Sequence, residues 1–346
     1  MKVNVSEFGK LANGSAVSLF SFQAKKGLAV KISNYGGIIT SIQIPDKYGV
    51  VDEIVAGFPT LNQYLQGHPH FGVIVGRFAN RIANGKFVID YKEFKLPINN
   101  GENHLHGGNN GFHTKLWDYN LTEYEDYAKL KLNLMSPHLD EGYPGNLEVS
   151  VTYIIYDNNE LHIEFVAATD EPTHVNLTSH GYFNLSGFKN DIFDHKLLLD
   201  AYAYLPVDEH QIPTGDIKRW DETPFDFSKP YSLGKKLDAI EGGIDNCFAL
   251  KQPRSLTKSA AKLIHEKSGR WLKIYCTQPG IQIYTGNSLD GSLVGHNGTR
   301  YNKHSAVCLE TQHFPDSPNK PNFPITLLMP DEEYSHQVRY AFGTSS

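Results

Sequence analysis

Apolar positions recur along this chain mostly with a period of two. Residues 161–165 alternate apolar and polar side chains, the pattern of a half-buried strand. Residues 28–32, 38–44 and 147–155 are short β-branched or alternating runs of the same kind. Turn signals separate them at Asn13-Gly14, Asn84-Gly85, Asn100-Gly101 and residues 156–159. Helical spacing is confined to two short stretches, 60–65 and 233–240. Many strands with few helices predict an all-β fold, a sandwich or barrel and not alternating βαβ units. No repeat, low-complexity tract or linker interrupts the pattern, so residues 1–346 are expected to form one large antiparallel domain. The proline-rich stretch 315–324 reads as a loop.

The composition is that of a globular protein, with 40% hydrophobic and 20% charged residues. Aromatic residues reach 12%, including 19 Tyr and 19 Phe, which suits strands and carbohydrate-facing surfaces. The net charge of -6 and the absence of a basic run argue against a nucleic-acid partner. No uninterrupted apolar stretch reaches the roughly 20 residues of a membrane span. The first residues, MKVNVSEFGK, lack the apolar core of a secretory leader. Cys247, Cys276 and Cys308 are odd in number and widely spaced, as expected of reduced core thiols in the cytoplasm.

The stretch VNLTSHGYFNL, residues 175–185, carries two patterns at once. Read as a strand, its odd positions are mostly apolar or small and its even positions are Asn176, Thr178, His180, Tyr182 and Asn184. Burying so polar a face requires partners. The expectation is that it holds a hydroxyl-rich ligand around His180. In AVCLETQHFPDSPN, Glu310 ends an apolar run just before a loop, where partial burial would raise its pKa toward that of a useful base.

Three further segments offer polar groups. GRFANRI carries Arg77, Asn80 and Arg81, with a surface salt-bridge pair as the plainer reading. NHLHGG sets His104 and His106 on one strand face at metal-ligand spacing, so a cupin-like metal isomerase using them with a carboxylate and His180 is a rival. Its glycines permit close approach of a ligand or another backbone. In GIDNCF, Asp245 can accept two hydroxyl hydrogens, and in PGIQIYTGN Gln282 and Tyr284 share a face. No phosphate loop, dinucleotide fingerprint or GxSxG elbow is present.

Taken in order, GRFANRI, NHLHGG, EGYPGN, NLTSHGYFNL, GIDNCF, PGIQIYTGN and LETQHFPDSPN resemble the aldose 1-epimerase (galactose mutarotase) family from about Ile32 onward. The resemblance implies a large antiparallel β-sandwich with an open sugar cleft, and interconversion of the α and β anomers of free aldohexoses such as galactose and glucose. It implies His180 as acid and Glu310 as base, with Asn80, Arg81, His106, Asp245 and Gln282 binding the sugar and no metal or cofactor. His180 would have to be protonated to act first, so a carboxylate or carbonyl is expected beside it. Where the family usually has Asn ahead of this histidine, the chain has Ser179, on the opposite strand face. Two other readings need different features. A sugar 6-phosphate would require a cationic pocket, and a binding-only module would have no need of an acid–base pair.

Overall fold

The alternating runs pair into three large antiparallel sheets, with four two-stranded ones beside them, in a computed structural model that describes residues 1–345. The largest has nine strands in the order Asp118–Glu123, Tyr127–Ser136, Leu147–Tyr156, Glu160–Thr169, Tyr334–Thr344, Arg270–Cys276, Ala261–Ile264, Lys196–Leu199 and Tyr231–Ser232. A six-stranded sheet runs Tyr182–Phe183, Val307–Gln312, Gly280–Tyr284, Asp245–Leu250, Ala201–Tyr204, Lys218–Arg219. A five-stranded meander covers residues 2–53. Neighbouring strands in all three sheets are antiparallel.

One continuous core joins the sheets. Phe248, Ile281, Ile283 and Leu309 of the six-stranded sheet share it with Ile163, Phe165, Ile274 and Tyr340 of the nine-stranded sheet and with Phe20 and Ile42 of the meander. This is the sandwich arrangement expected, in which apolar faces meet and their alternate positions turn outward. The two α-helices, Leu61–Leu65 and Leu233–Leu237, fall within the two predicted stretches, the second shorter than its sequence pattern. No described helix is long and apolar enough to cross a membrane.

Residues 175–185 depart from the single strand expected. Asn176 bridges Phe78, Thr178–Ser179 pairs with Ile74–Val75, and Tyr182–Phe183 pairs with residues 307 and 308 of the next strand. The segment therefore changes partner twice within ten residues, and His180 lies at the gap between two pairings. Gly107 of NHLHGG sits at φ +81, and a Cβ there would lie 1.9 Å from the Gly76 carbonyl oxygen. The close approach anticipated for those glycines is thus to another backbone at Gly107, and to the Glu141 carboxylate at Gly108.

Arg77 is not the surface charge that the plainer reading of GRFANRI describes. It is 2% exposed, and its guanidinium donates to Ser136 Oγ and to the carbonyls of Ser136, Pro137, Pro144 and Gly145. Ser136 Oγ in turn donates to Asp140, which supplies counter-charge. The planar fork of arginine matches this fan of acceptors, as a lysine ammonium would not. Arg77 thereby ties the segment carrying Asn80 and Arg81 to the turn at 136–145. Arg77→Met should lower the unfolding free energy by about 3 kcal/mol or more, read as a lower urea midpoint at unchanged m-value.

Candidate active site

Strand register brings the site's carboxylates together. Val307, Leu309 and Thr311 point one way, and Cys308, Glu310 and Gln312 the other. Gln282 lies directly across from Glu310, and Cys247 across from Gln282, so Asp245, Gln282 and Glu310 occupy one face of three adjacent strands. The opposite faces of these strands supply Leu309, Ile281, Ile283 and Phe248 to the core.

Above this face lies a cavity of about 200 Å³ lined by His180, Glu310, His106, Arg81, Asp245 and His70, with Tyr182, Tyr284, Ser288, Asn100, Pro69 and Leu105. A wider outer cleft of about 730 Å³ shares Arg81, Asn100, Asp245, Tyr284 and Ser288 with it. His180 Nε2 stands 3.5 Å from Glu310 Oε2, close enough to couple but too long for a firm hydrogen bond. Glu310 Oε2 and His180 Nδ1 have no hydrogen-bond partner among the described residues.

Burial governs the ionisation of this pair. It lowers His180 to about 3 and raises Glu310 well above the usual carboxylate range, with the Asp245 charge adding to the latter. The expected carboxylate neighbour of His180 is therefore present, but it is Glu310 itself, and burial opposes the charged imidazole. The two groups favour one proton held between them, on the carboxyl.

The remaining polar groups are oriented by the protein. Asp245 Oδ1 accepts from Gln282 Nε2 at 2.7 Å, and its other oxygen is 4.0 Å from Arg81 Nη1. Desolvation raises the Asp245 pKa, while Arg81 and Gln282 oppose that rise. Arg81 Nε donates to Asn100 Oδ1 at 3.0 Å. His106 Nδ1 accepts the Asn80 backbone N–H at 3.1 Å, and the His106 backbone N–H returns a bond to the Asn80 carbonyl. A neutral His106 then carries its proton on Nε2, as a donor.

Of the seven residues expected in the site, His180, Glu310, Arg81, His106 and Asp245 line the cavity. Gln282 stands behind Asp245, with its Oε1 buried and unpartnered among the described residues. The Asn80 side chain is turned onto the Arg81 N–H and serves the site through its backbone. The polar row around His180 departs further from expectation. Asn176 bonds the carbonyls of Ala79 and His313 and the His313 N–H, Thr178 donates to the Thr311 carbonyl, and Asn184 donates to those of Asn190 and Ser305. Tyr182 gives its hydroxyl to the Pro69 carbonyl and offers the cavity only its ring. These four fasten neighbouring backbone, and His180 alone in that row keeps free nitrogen capacity. Sequence reading missed His70, Ser288 and Asn100, which lie in loops with no periodic signal.

His106, His180 and Glu310 have donor atoms within 4.8 Å of one another, so they form a possible metal triad. The donor chemistry fits poorly. A metal-bound histidine normally donates its remote N–H to an acceptor, whereas the remote nitrogen of a metal held at His106 Nε2 would face the Asn80 N–H. His104, the other histidine of the rival reading, is spent on the Pro97 carbonyl and the Tyr143 hydroxyl.

A family model described as aldose 1-epimerase matches residues 18–341. The chain belongs to the aldose 1-epimerase family. It is 45% identical over 348 residues to the galactose mutarotase of Sus scrofa, with all of both chains covered. It is 35% identical over 338 residues to the aldose 1-epimerase of Escherichia coli K12, covering 95% of this chain and 96% of that one. A crystal structure of galactose 1-epimerase from Lactobacillus acidophilus superposes with a TM-score of 0.88 at 26% identity, covering 100% of this chain and 99% of that one. The sandwich just described is the galactose mutarotase-like fold of these relatives.

The crowding of neutral histidines in this epimerase has a consequence for stability. Burial lowers His68, His180 and His336 to about 3, and His113, His174 and His313 to about 4. Unfolded, each would bind a proton below its ordinary value of about 6.5. The unfolded chain then holds more protons than the native one, so stability falls as pH drops below 6.5 toward 4. Glu53, raised to about 7, and Glu310 act oppositely but are outnumbered. The unfolding free energy should fall by at least ~2 kcal/mol between pH 6.5 and 5, measured by denaturant titration at the two pH values.

Proposed function

We propose that His180 and Glu310 are the acid and base with which this protein interconverts the α and β anomers of free aldohexoses such as galactose and glucose. The observation that carries the assignment is their 3.5 Å approach, with unsatisfied atoms, in a cavity walled by Arg81, His106 and the Gln282-braced Asp245. Glu310 takes the proton of the C1 hydroxyl while His180 protonates the ring oxygen, and the C1–O5 bond opens to the aldehyde. Rotation about C1–C2 presents the other carbonyl face. On closure His180 removes the C5 hydroxyl proton and the Glu310 carboxyl supplies one to the carbonyl oxygen.

Through this cycle the pair carries one proton. The closed sugar calls for Glu310 carboxylate with His180 imidazolium, and the open sugar for Glu310 acid with neutral imidazole. The two states have the same net charge, so turnover needs no proton from bulk water. The second is the form that burial favours in the free site, so the same surroundings that resist charge on the pair support the open-chain intermediate once the bound ring has opened. Positioned acid and base groups each contribute roughly 10²–10⁴-fold. Arg81 and Asp245 contact sugar hydroxyls on one side and the His106 Nε2–H on another, with Gln282 and Asn80 holding those groups in place.

Arg81 is the one cation among the residues lining the two cavities, Asp245 stands 4.0 Å from it, and Glu241 lines the same outer cleft. That balance favours a neutral sugar over a sugar phosphate. Residues from 69 to 310 meet in the cavity, which supports one catalytic unit spanning 1–346. The buried, unpaired cysteines suit a reducing compartment such as the cytoplasm.

Polarimetry of fresh α-D-galactose and α-D-glucose at neutral pH tests the reading. The protein should speed approach to an unchanged final rotation, equally with and without EDTA. A rate abolished by EDTA would overturn the metal-free chemistry. His180→Asn or Glu310→Gln should each lower turnover at least ~10²-fold with the fold intact by circular dichroism, and near-normal turnover in either would sink the roles. Arg81→Ala should chiefly raise KM.

A further inference from the structure

His70 is a cavity-lining group for which the mechanism above has no use. It lies in the loop His68-Pro69-His70-Phe71, whose path is set from several sides. The Phe71 N–H donates to His68 Nδ1, the Pro69 carbonyl accepts the Tyr182 hydroxyl, and the Gly72 N–H donates to the His180 carbonyl. The His180 N–H returns a bond to the Val73 carbonyl. The backbone of His70 is itself left-handed, at φ +61. Such a conformation is uncommon for a residue with a side chain and clusters at ligand sites.

These ties hold the His70 ring close to the reacting pair. Its centroid is 4.8 Å from that of His106 and 5.9 Å from that of His180, nearly parallel to the latter at 20°. Neither ring nitrogen of His70 makes a hydrogen bond among the described residues, and neither is a sealed, orphaned atom. The ring thus brings polar capacity to the cavity wall and spends none of it on the protein. His104, two residues from His106, shows the contrast, since protein groups occupy both its nitrogens. A neutral imidazole offers one donor and one acceptor, the complement of a sugar hydroxyl.

We propose that His70 is a sugar-binding residue, hydrogen-bonding a hydroxyl of the aldose at the end of the cavity bounded by His106 and His180. This rests on the aldose reading above. The alternative is that His70 is a flat wall that keeps the His180 ring in plane. Two variants separate them. His70→Phe keeps a flat ring without nitrogens. His70→Asn keeps donor and acceptor and tolerates a left-handed backbone.

Galactose turnover by polarimetry and equilibrium galactose binding by calorimetry are to be measured on both variants and the wild type, with thermal melts as a fold control. Loss of a hydrogen bond from a polar site should make the Phe variant bind at least ~10-fold more weakly, with kcat within about threefold. The Asn variant should recover most of that loss. Unchanged KM and affinity in the Phe variant would overturn the proposal, as would a fall in kcat without a change in affinity. A wild type that binds galactose without accelerating mutarotation would defeat the epimerase reading, and the variants' affinities would still decide the role of His70. A wild type that neither binds nor turns over galactose would defeat both.

Discussion

The antiparallel register that sets Gln282 across from Glu310 is the constraint on which the site depends. Side chains alternate along a strand, so slipping the strand Val307–Gln312 by one residue would exchange Glu310 for Leu309 or Thr311. A slip would also put a carboxylate into the apolar core and a leucine into the cavity. Both errors are costly, because an isolated buried charge and an exposed core leucine each forfeit free energy. The hydrophobic face of the sandwich therefore enforces the geometry of the polar face. Leu309, Ile281, Ile283 and Phe248 stabilise the fold and position the carboxylates by the same contacts.

Burial then sets the electrostatics of what the register assembles. Water is largely excluded from His180 and Glu310, so separating charge on them is unfavourable until a substrate supplies compensating dipoles. Asp245 and Arg81 are less enclosed and offset one another across 4.0 Å. The arrangement keeps net charge around His180 and Glu310 low. It also explains the number of neutral histidines around the cavity. A neutral imidazole bonds a hydroxyl without bringing a charge that would bias the shared proton. The cost falls on acid stability, since the unfolded chain protonates these rings more readily.

Much of the fold was legible in the sequence. Period-two runs located strands within residues 29–45 and 147–169 to within a residue or so at most ends, and the two weak helical signals fell on the two helices. The ordered motifs brought out His180, Glu310, Arg81, His106 and Asp245. The role of Asn176, Thr178, Tyr182 and Asn184 was not legible. Alternation reports which way a side chain points and is silent about what comes to meet it. Here the groups that arrive are backbone carbonyls from Ala79, Pro69, Asn190, Thr311 and Ser305, brought by tertiary contacts more than a hundred residues away in several cases. Arg77 shows the same blindness, since nothing local distinguishes its fan of carbonyl acceptors from a surface ion pair. His70 was missed for the opposite reason, as it lies in a loop with no periodic signal at all.

The candidate site in this protein is marked by unspent hydrogen-bonding capacity that coincides with a cavity, since atoms without partners among the described residues also occur elsewhere, as on Thr173, Arg270 and Gln312. Asn176, Thr178, Asn184 and Arg77 are polar and buried, and protein groups occupy their bonds. His180, Glu310 and Gln282 are equally buried, yet each retains an atom with no partner among the described residues. Leaving such atoms unmade costs roughly 1–3 kcal/mol apiece in a folded protein, and those beside the cavity stand where a ligand can complete them. A ring that carries a hydroxyl on most of its carbons can complete several at once. The cost is then recovered on binding, and it is recovered most fully when the hydroxyls stand where the reaction requires them.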